Sequence, residues 1–377
     1  MSKNKEAILD QYKKLENEYK KLCDELDGLL KKLLSSNKIS VNAINSRVKA
    51  HNSLEEKIRK KGEKYNCIND ITDIVGSRII TYYSDDVDRI AEIIEQEFEV
   101  DKKNSIDKRE SIEPDKFGYV SLHYVCQFSS KRTELREYSG FEGKKFEIQI
   151  RSILQHTWAE IEHDSGYKSQ VGIPAEIKRY FSRLAGLLEL ADDEFIRIRD
   201  KLSDYEKDID KKLQENSDKK ILIDNISLKK YFELSNEMKE LDEKIANDSN
   251  RKLIDPFSAE NHIEVLQSLN IKTIQEVDVM LEKNSDLAYN IAMKFLDEDE
   301  YLDEDEYLNK DKDLGIGIGL FYLCYAELLI KKVPDDEITK YFEKNNIGLI
   351  EDAENNMLEL KNTYEFIKKK MVNANFK

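Results

Sequence analysis

The sequence predicts an α+β domain, a mixed sheet flanked by helices, followed by an all-α C-terminal domain. Three observations carry that prediction. Segments in which apolar and polar residues alternate with period two are interleaved with helix-period segments through the first half of the chain. Beyond about residue 215 the alternation stops and helical patterning continues alone. Glycine and proline are sparse, 13 and 4 in 377 residues, which favours long helices over a loop-rich all-β fold. The expected organisation is a long N-terminal helix over 1–38, the α+β domain over 39–214 and a helical domain over 215–377.

The elements follow in order. Ile8, Tyr12, Leu15, Tyr19, Leu22, Leu26, Leu29 and Leu33 step by fours and threes, as in a long packed helix over 6–34. Such a stripe serves either to lie across the main domain or to contact another subunit. A strand over Ile39–Lys49 and a charged helix from Leu54 come next, then a strand within Asp70–Tyr83 and a helix over Asp86–Phe98. Asp101–Asp115 is polar and irregular. Gly118–Phe128 and Lys144–Ser152 are strands, and the stretch from Ile153 to Leu213 is helical, opening on the apolar stripe Ile153, Leu154, Trp158, Ile161.

Composition narrows the function. The net charge of −16 argues against broad, nonspecific nucleic-acid binding, although a small basic cleft is compatible with it. Cys23, Cys67, Cys126 and Cys324 lie far apart without a CxxC pair, as reduced thiols of a cytoplasmic protein would. The N-terminus has no apolar run of the signal-peptide kind. Leu314–Ile330, the longest apolar stretch, contains Glu327 and three glycines and is expected to be a buried helix rather than a membrane span. Its GIGIG run has no strand before it, so close helix packing is expected there rather than a phosphate loop. The acidic tandem repeat LDEDEYLDEDEYL at Leu296–Leu308 is expected to be solvated.

Four groups of residues carry chemistry. Arg47 and Lys49 share a strand face, and Lys57 and Arg59 follow at a helix start, a cationic set suited to a polyphosphate. Asp73 stands before a buried strand and Gly76, placed either to hold Mg²⁺ against phosphates or to cap the turn. Tyr119, Ser121 and His123 alternate onto one face after Lys116 and Gly118, and the aromatic ring there offers a platform for a base. Glu147, Gln149 and Arg151 project together from the strand FEIQIRS, with Glu147 a second metal ligand or a general base. Two carboxylates, a basic cluster and an aromatic platform, without a Cys or Ser triad, point to phosphoryl-type transfer, which needs positioning and charge neutralisation.

RVK with Ser53 and Lys57, DIVGSR, KFGYVSLH and FEIQIRS…WAEIEH…YK resemble, in that order, the motifs of the RelA/SpoT synthetase domain over roughly residues 40 to 170. The resemblance implies a GTP pyrophosphokinase that moves pyrophosphate from ATP to the 3′-hydroxyl of GDP or GTP. AMP is released and (p)ppGpp, the alarmone, is made. It also implies roles: Arg47 and Arg78 around adenine, Lys49 and Lys57 on the ATP phosphates, Asp73 and Glu147 as catalytic residues and ligands of the Mg²⁺ cofactor. Tyr119 would stack on guanine, Lys116 and His123 would approach the acceptor phosphates, and Gln149 and Arg151 would line the cleft. A homo-oligomer without a membrane partner is implied as well. His163-Asp164 lies inside the synthetase motif and is read as part of it. Phe117 stands where the family usually has Asn, and the strand reads QIRS rather than QIRT. The lost hydrogen-bonding group leaves a tRNA 3′ end or an adenosine nucleotide as alternative acceptors, with Lys102, Lys103, Lys108, Arg109, Lys131, Arg132, Lys144 and Lys145 as a strip for tRNA. A catalytically silent, nucleotide-sensing protein is the remaining alternative.

Overall fold

In the computed structural model the alternating segments become one sheet. The structure describes residues 3–61, 64–107, 121–164, 174–215, 220–255, 259–298, 313–344 and 353–374. These form two compact units, Met1–Lys201 and Leu202–Lys377.

In the first unit, helix α1 (Lys3–Ser36) precedes β1 (Val41–Val48), α2 (His51–Lys61), β2 (Val75–Thr81) and α3 (Asp86–Glu97). The short strands β3 (Phe98–Val100) and β4 (Ile106–Asp107), β5 (Leu122–Phe128), the single turn α4 (Ser130–Thr133), β6 (Phe146–Ser152) and α5 (Ile153–Asp164) follow. Helix α6 (Ala175–Gln214) ends the unit and continues into the next. The sheet order is β1-β2-β6-β5-β3, with β4 also paired to β5. Only the β2/β6 pair is parallel, so the sheet is mixed. Strand β4 places regular structure in a stretch expected to be irregular.

One sheet face is dry. Phe146, Ile148 and Ile150 of β6 are fully buried in a core shared with α1, α2 and α3. The α1 stripe turns as it goes. Tyr12, Tyr19, Leu22 and Leu26 are buried as expected, but at the far end Leu30 and Leu34 enter the core more deeply than Leu33. A straight helix repeats every 3.6 residues rather than 3.5, so a heptad stripe drifts off the contact line. The other sheet face carries Arg47, Arg78, Glu147 and Gln149. The stripe on α5 is also shifted: Trp158, Ala159 and Glu162 are buried, while Ile161 is half exposed. The partner face on α6, with Phe181, Ala185 and Leu188, selects the side that carries Trp158 and Ala159.

In the second unit, α7 (Asn225–Leu234), α8 (Asn236–Asp248), α9 (Ala259–Ser268), α10 (Ile274–Glu298), α11 (Ile318–Ile330), α12 (Asp335–Lys344) and α13 (Ala353–Ala374) pack around their own core. A two-residue parallel pair, β7 (Leu253–Ile254) with β8 (Leu314–Gly315), is a small addition to the expected all-helical pattern. Helix α11 is the buried helix expected over Leu314–Ile330, and Glu327 within it pairs with Lys331 at 3.1 Å and Asn284 at 3.3 Å. The GIGIG run serves close packing. A Cβ on Gly319 would lie 2.8 Å from Asp242 Oδ1 and 2.9 Å from Leu241 Cγ. The Asp242 carboxylate accepts hydrogen bonds from the Gly317 and Gly319 amides at 2.7 and 2.6 Å. The helix N-terminus is thereby filled by the protein's own anion. Most of the LDEDEYL repeat lies outside the described residues. All four cysteines are unpaired. Among the described residues no helix is long and apolar enough to cross a membrane.

Candidate active site

Strand register builds the site. Asn45 of β1 faces Arg78 of β2, which faces Gln149 of β6, which faces His123 of β5. One step along, Arg47 faces Gly76, Gly76 faces Glu147 and Glu147 faces Val125. Residues two apart share a face, so both rows project from the face opposite α1. Gly76 puts no side chain between Arg47 and Glu147, and the space left is part of a cleft of about 120 Å³. Arg47, Lys49, Asp73, Arg78, Glu147 and Gln149 line it, together with Asn45, Ser46, Gly76 and Ser77.

The two acids near the start of β2 divide their work. The Asp70 carboxylate accepts from the Asn66 and Cys67 amides at 2.7 and 3.1 Å and so stabilises the turn. Asp73 instead takes the ammonium groups of Lys49 at 3.2 Å and Lys57 at 2.7 Å. The Lys49 amide donates to the Ile74 carbonyl at 2.8 Å, which fixes the end of β1 against the segment carrying Asp73. Helix α1 braces the same strand. The Tyr12 hydroxyl donates to the Lys49 carbonyl at 2.6 Å, and Ser46 Oγ donates to Asp27 at 2.9 Å.

Glu147 is held from two sides. His123 Nδ1 lies 2.7 Å from its Oε1, and Gln149 Nε2 donates to the same oxygen at 2.8 Å. The other imidazole nitrogen lies 2.7 Å from Ser121 Oγ. Burial alone would raise the Glu147 pKa. The His123 and Gln149 hydrogen bonds and the Lys57 charge outweigh it, so the carboxyl sits below its ordinary value. Asp73 and Glu147 thus present two hard carboxylates to one cleft beside four cations. Mg²⁺ uses few protein carboxylates and completes its shell with water and phosphate oxygens, so this donor set fits it. Among the described residues no cluster of three or more His, Cys, Asp or Glu forms an all-protein cage.

Residues 46–172 match the region found in RelA / SpoT proteins. Over 162 residues the chain is 32% identical to GTP pyrophosphokinase YjbM of Bacillus subtilis (strain 168), an alignment covering 42% of this chain and 72% of that protein. The chain belongs to the RelA/SpoT family. GTP pyrophosphokinase YwaC of the same organism is 28% identical over 157 residues, covering 41% of this chain and 71% of its own length. The crystal structure of small alarmone synthetase 1 from Bacillus subtilis aligns with 52% of this chain and 99% of that one, at 27% identity and a TM-score of 0.43.

Within the RelA/SpoT region the structure gathers most of the residues singled out from the sequence. Arg47, Lys49, Asp73, Arg78, Glu147 and Gln149 line the cleft, while Lys57 and His123 reach it through Asp73 and Glu147. Lys116 and Tyr119 lie outside the described residues. Arg151 does not join the lining. It is buried at the end of β6, and its Nη2 donates to Glu160 Oε1 at 3.2 Å. Asn45 and Glu160 were missed by the sequence reading. Asn45 had a signal, its position two residues before Arg47 on the same strand. Glu160 sat within the quoted WAEIEH motif, but its cleft partner, Arg78, comes from a strand 82 residues away. Of the basic strip, Arg132, Lys144 and Lys145 are each ion-paired, with Glu97, Glu18 and Asp101.

Proposed function

We propose that the chain is a GTP pyrophosphokinase that transfers pyrophosphate from ATP to the 3′-hydroxyl of GDP or GTP, making (p)ppGpp and releasing AMP. The observation that carries this reading is a cleft in which Arg47, Lys49 and Arg78 surround Asp73 and Glu147, on a chain whose relatives are named GTP pyrophosphokinases. The arginine faces of Arg47 and Arg78 hold adenine, and Lys49 and Lys57 exchange the Asp73 carboxylate for the ATP phosphates. Asp73 and Glu147 would hold Mg²⁺, which would supply charge neutralisation on those phosphates when bound. The acceptor 3′-oxygen bonds to the β-phosphorus as the bond to the α,β-bridging oxygen breaks, and AMP leaves with that electron pair. Glu147, ionised at neutral pH and oriented by His123 and Gln149, takes the hydroxyl proton. Lys116 and Tyr119 complete the acceptor side by resemblance to the family, with His123 at its edge.

A nucleotide acceptor is favoured over a tRNA end because the relatives are named for a guanosine nucleotide acceptor. Self-association is part of the reading. Tyr180, Leu184, Leu187, Phe195 and Ile198 form a half-exposed apolar stripe on one face of α6. Leu187→Glu is expected to lower the molecular mass seen in sedimentation.

The test is a product assay with Mg²⁺ and β-labelled ATP, offering GDP, GTP, ATP alone or deacylated tRNA as acceptor. Label on a guanosine nucleotide with stoichiometric AMP is the expected result. Label on tRNA alone would replace the acceptor assignment, and no transfer to any acceptor would overturn the enzyme reading in favour of a sensing protein.

A further inference from the structure

Glu160 lies on α5, two turns beyond the strand that carries Glu147, and none of the expected roles uses it. Its Oε1 accepts from Arg78 Nη1 at 3.0 Å and from Arg151 Nη2 at 3.2 Å, with His156 Nδ1 3.7 Å away. The three groups come from different places: Arg78 from the middle of β2, Arg151 from the end of β6, His156 one turn earlier on α5. The Arg151 side chain is 3% exposed and that of Glu160 is 54% exposed. A buried guanidinium needs a counter-charge, and Glu160 reaches in from the rim to supply it. The same oxygen also takes one edge of Arg78, a cleft-lining residue.

We propose that Glu160 is a positioning residue for the donor nucleotide: it grips one edge of the Arg78 guanidinium and sets its plane for stacking on the base of ATP. The inference rests on the proposed function, in which Arg78 contacts adenine. Guanidinium hydrogen bonds lie in the plane of the group, whereas stacking uses the face, so the carboxylate and the base do not compete for Arg78. A flexible arginine stem loses rotamer entropy when it is fixed. Holding it before the nucleotide arrives removes part of that ordering cost from binding. Arg151 makes the grip firm, because the same Glu160 oxygen also accepts from its buried guanidinium. Burial alone would raise the Glu160 pKa, but Arg78 and Arg151 hold it below the ordinary value, so the anchor remains an anion at neutral pH.

The test compares wild type, Glu160→Gln, Arg78→Ala and the double variant in the full chain. Binding of a non-hydrolysable ATP analogue is measured by calorimetry, and KM and kcat for ATP and GDP are measured separately. Glu160→Gln is expected to raise the analogue Kd and the ATP KM by about tenfold, the size of one charge-assisted hydrogen bond, with kcat and the GDP KM nearly unchanged. In the Arg78→Ala background the same change is expected to have no further effect on ATP binding. Glu160→Asp, whose shorter carboxylate keeps its charge, should recover part of the affinity. Additive losses in the double variant would overturn the inference, because Glu160 would then act independently of Arg78. Equal losses for ATP and GDP would overturn it too, since they mark general loosening around Arg151, and far-ultraviolet dichroism with a urea melt reports that loosening directly. If wild type binds the analogue but transfers nothing, the enzyme reading fails while the Arg78–Glu160 coupling is still measured in the binding data. If wild type does not bind the analogue, both fail.

Discussion

Asp73 and Asp242 are carboxylates that each receive two donors, yet they sit in opposite kinds of place. Asp242 is buried, and its donors are backbone amides at the start of α11 that cannot move. Asp73 keeps a fifth of its side chain in solvent, and its donors are the ammonium groups of Lys49 and Lys57 on flexible stems. Lysines can be handed to incoming phosphates; helix amides closed in by Leu241 cannot. An anion-friendly motif therefore indicates a site only where its donors remain transferable. The GIGIG run fails that condition and the cleft above the sheet meets it.

Asp73→Asn and Glu147→Gln should each lower pyrophosphate transfer by roughly two to four orders of magnitude, the usual span for losing a positioned acid–base or charge-stabilising group. Both variants should still unfold cooperatively in urea, with a modest fall in midpoint from the lost ion pairs and hydrogen bonds. Wild-type turnover in both variants would remove the site assignment. Gly319→Ala tests the other region. The new methyl meets Asp242 and Leu241 inside 3.0 Å, and overpacking of this kind costs about 1–3 kcal/mol. A lower urea midpoint with the cleft residues intact is the expected outcome, and an unchanged midpoint would mean that the α8–α11 contact yields easily.

The pH dependence sharpens the contrast because the two regions titrate in opposite directions. Burial pushes the Asp242 carboxyl up to about 6, against its two amide hydrogen bonds, from an ordinary value of 3.8. Between those values the folded chain holds more protons than the unfolded one, so this group's contribution to stability falls as pH rises through the window. Glu147 has the reverse sign. Its folded value is depressed, so its contribution is full above the ordinary carboxyl range and is lost as pH falls through the folded value. Asp192, buried against Ser152 at 2.8 Å and also raised to about 6, adds to the first trend. Chemical denaturation from pH 4 to 7 should therefore show the stability of Asp242→Asn rising relative to that of wild type as pH rises. Identical slopes would place the Asp242 titration outside that range.

The sheet and its cleft were legible because period-two alternation gives both the strand and the face. Arg47, Lys49, Glu147 and Gln149 could be assigned to one face of their strands without knowing their neighbours. Strand order was not legible from alternation, since nothing local says that β2 lies between β1 and β6. Register then decides what a single strand cannot. Gly76 opens space only because it falls between Arg47 and Glu147. Arg151 shares the parity of Glu147 but lies four residues farther on, where α5 closes over the strand end, so its charge is turned to Glu160 instead of the cleft. Asp70 and Asp73 were indistinguishable as letters in one short segment, and the backbone amides of Asn66 and Cys67 separate capping from function. The α1 stripe was visible as a helix, but its exact buried edge depended on the 3.6-residue repeat of a straight helix lying on a sheet.

The smallest expected effect tests how α1 supports the cleft. The Tyr12 hydroxyl is fixed on the Lys49 carbonyl at 2.6 Å, and its ring stacks near Tyr19 with centroids 6.2 Å apart. Tyr12→Phe keeps the ring and removes only the hydrogen bond, so about 0.5–1.5 kcal/mol of stability should be lost. The carbonyl it leaves belongs to the residue whose ammonium group meets Asp73, which makes the substitution informative beyond its size. If α1 only covers the sheet, the urea midpoint should fall while the ATP KM stays at the wild-type value. If it also fixes the end of β1, the ATP KM should rise with the stability loss, while the GDP KM stays unchanged. A rise in the GDP KM alone would place the support of α1 on the acceptor side and break the link from Tyr12 through Lys49 to the donor phosphates.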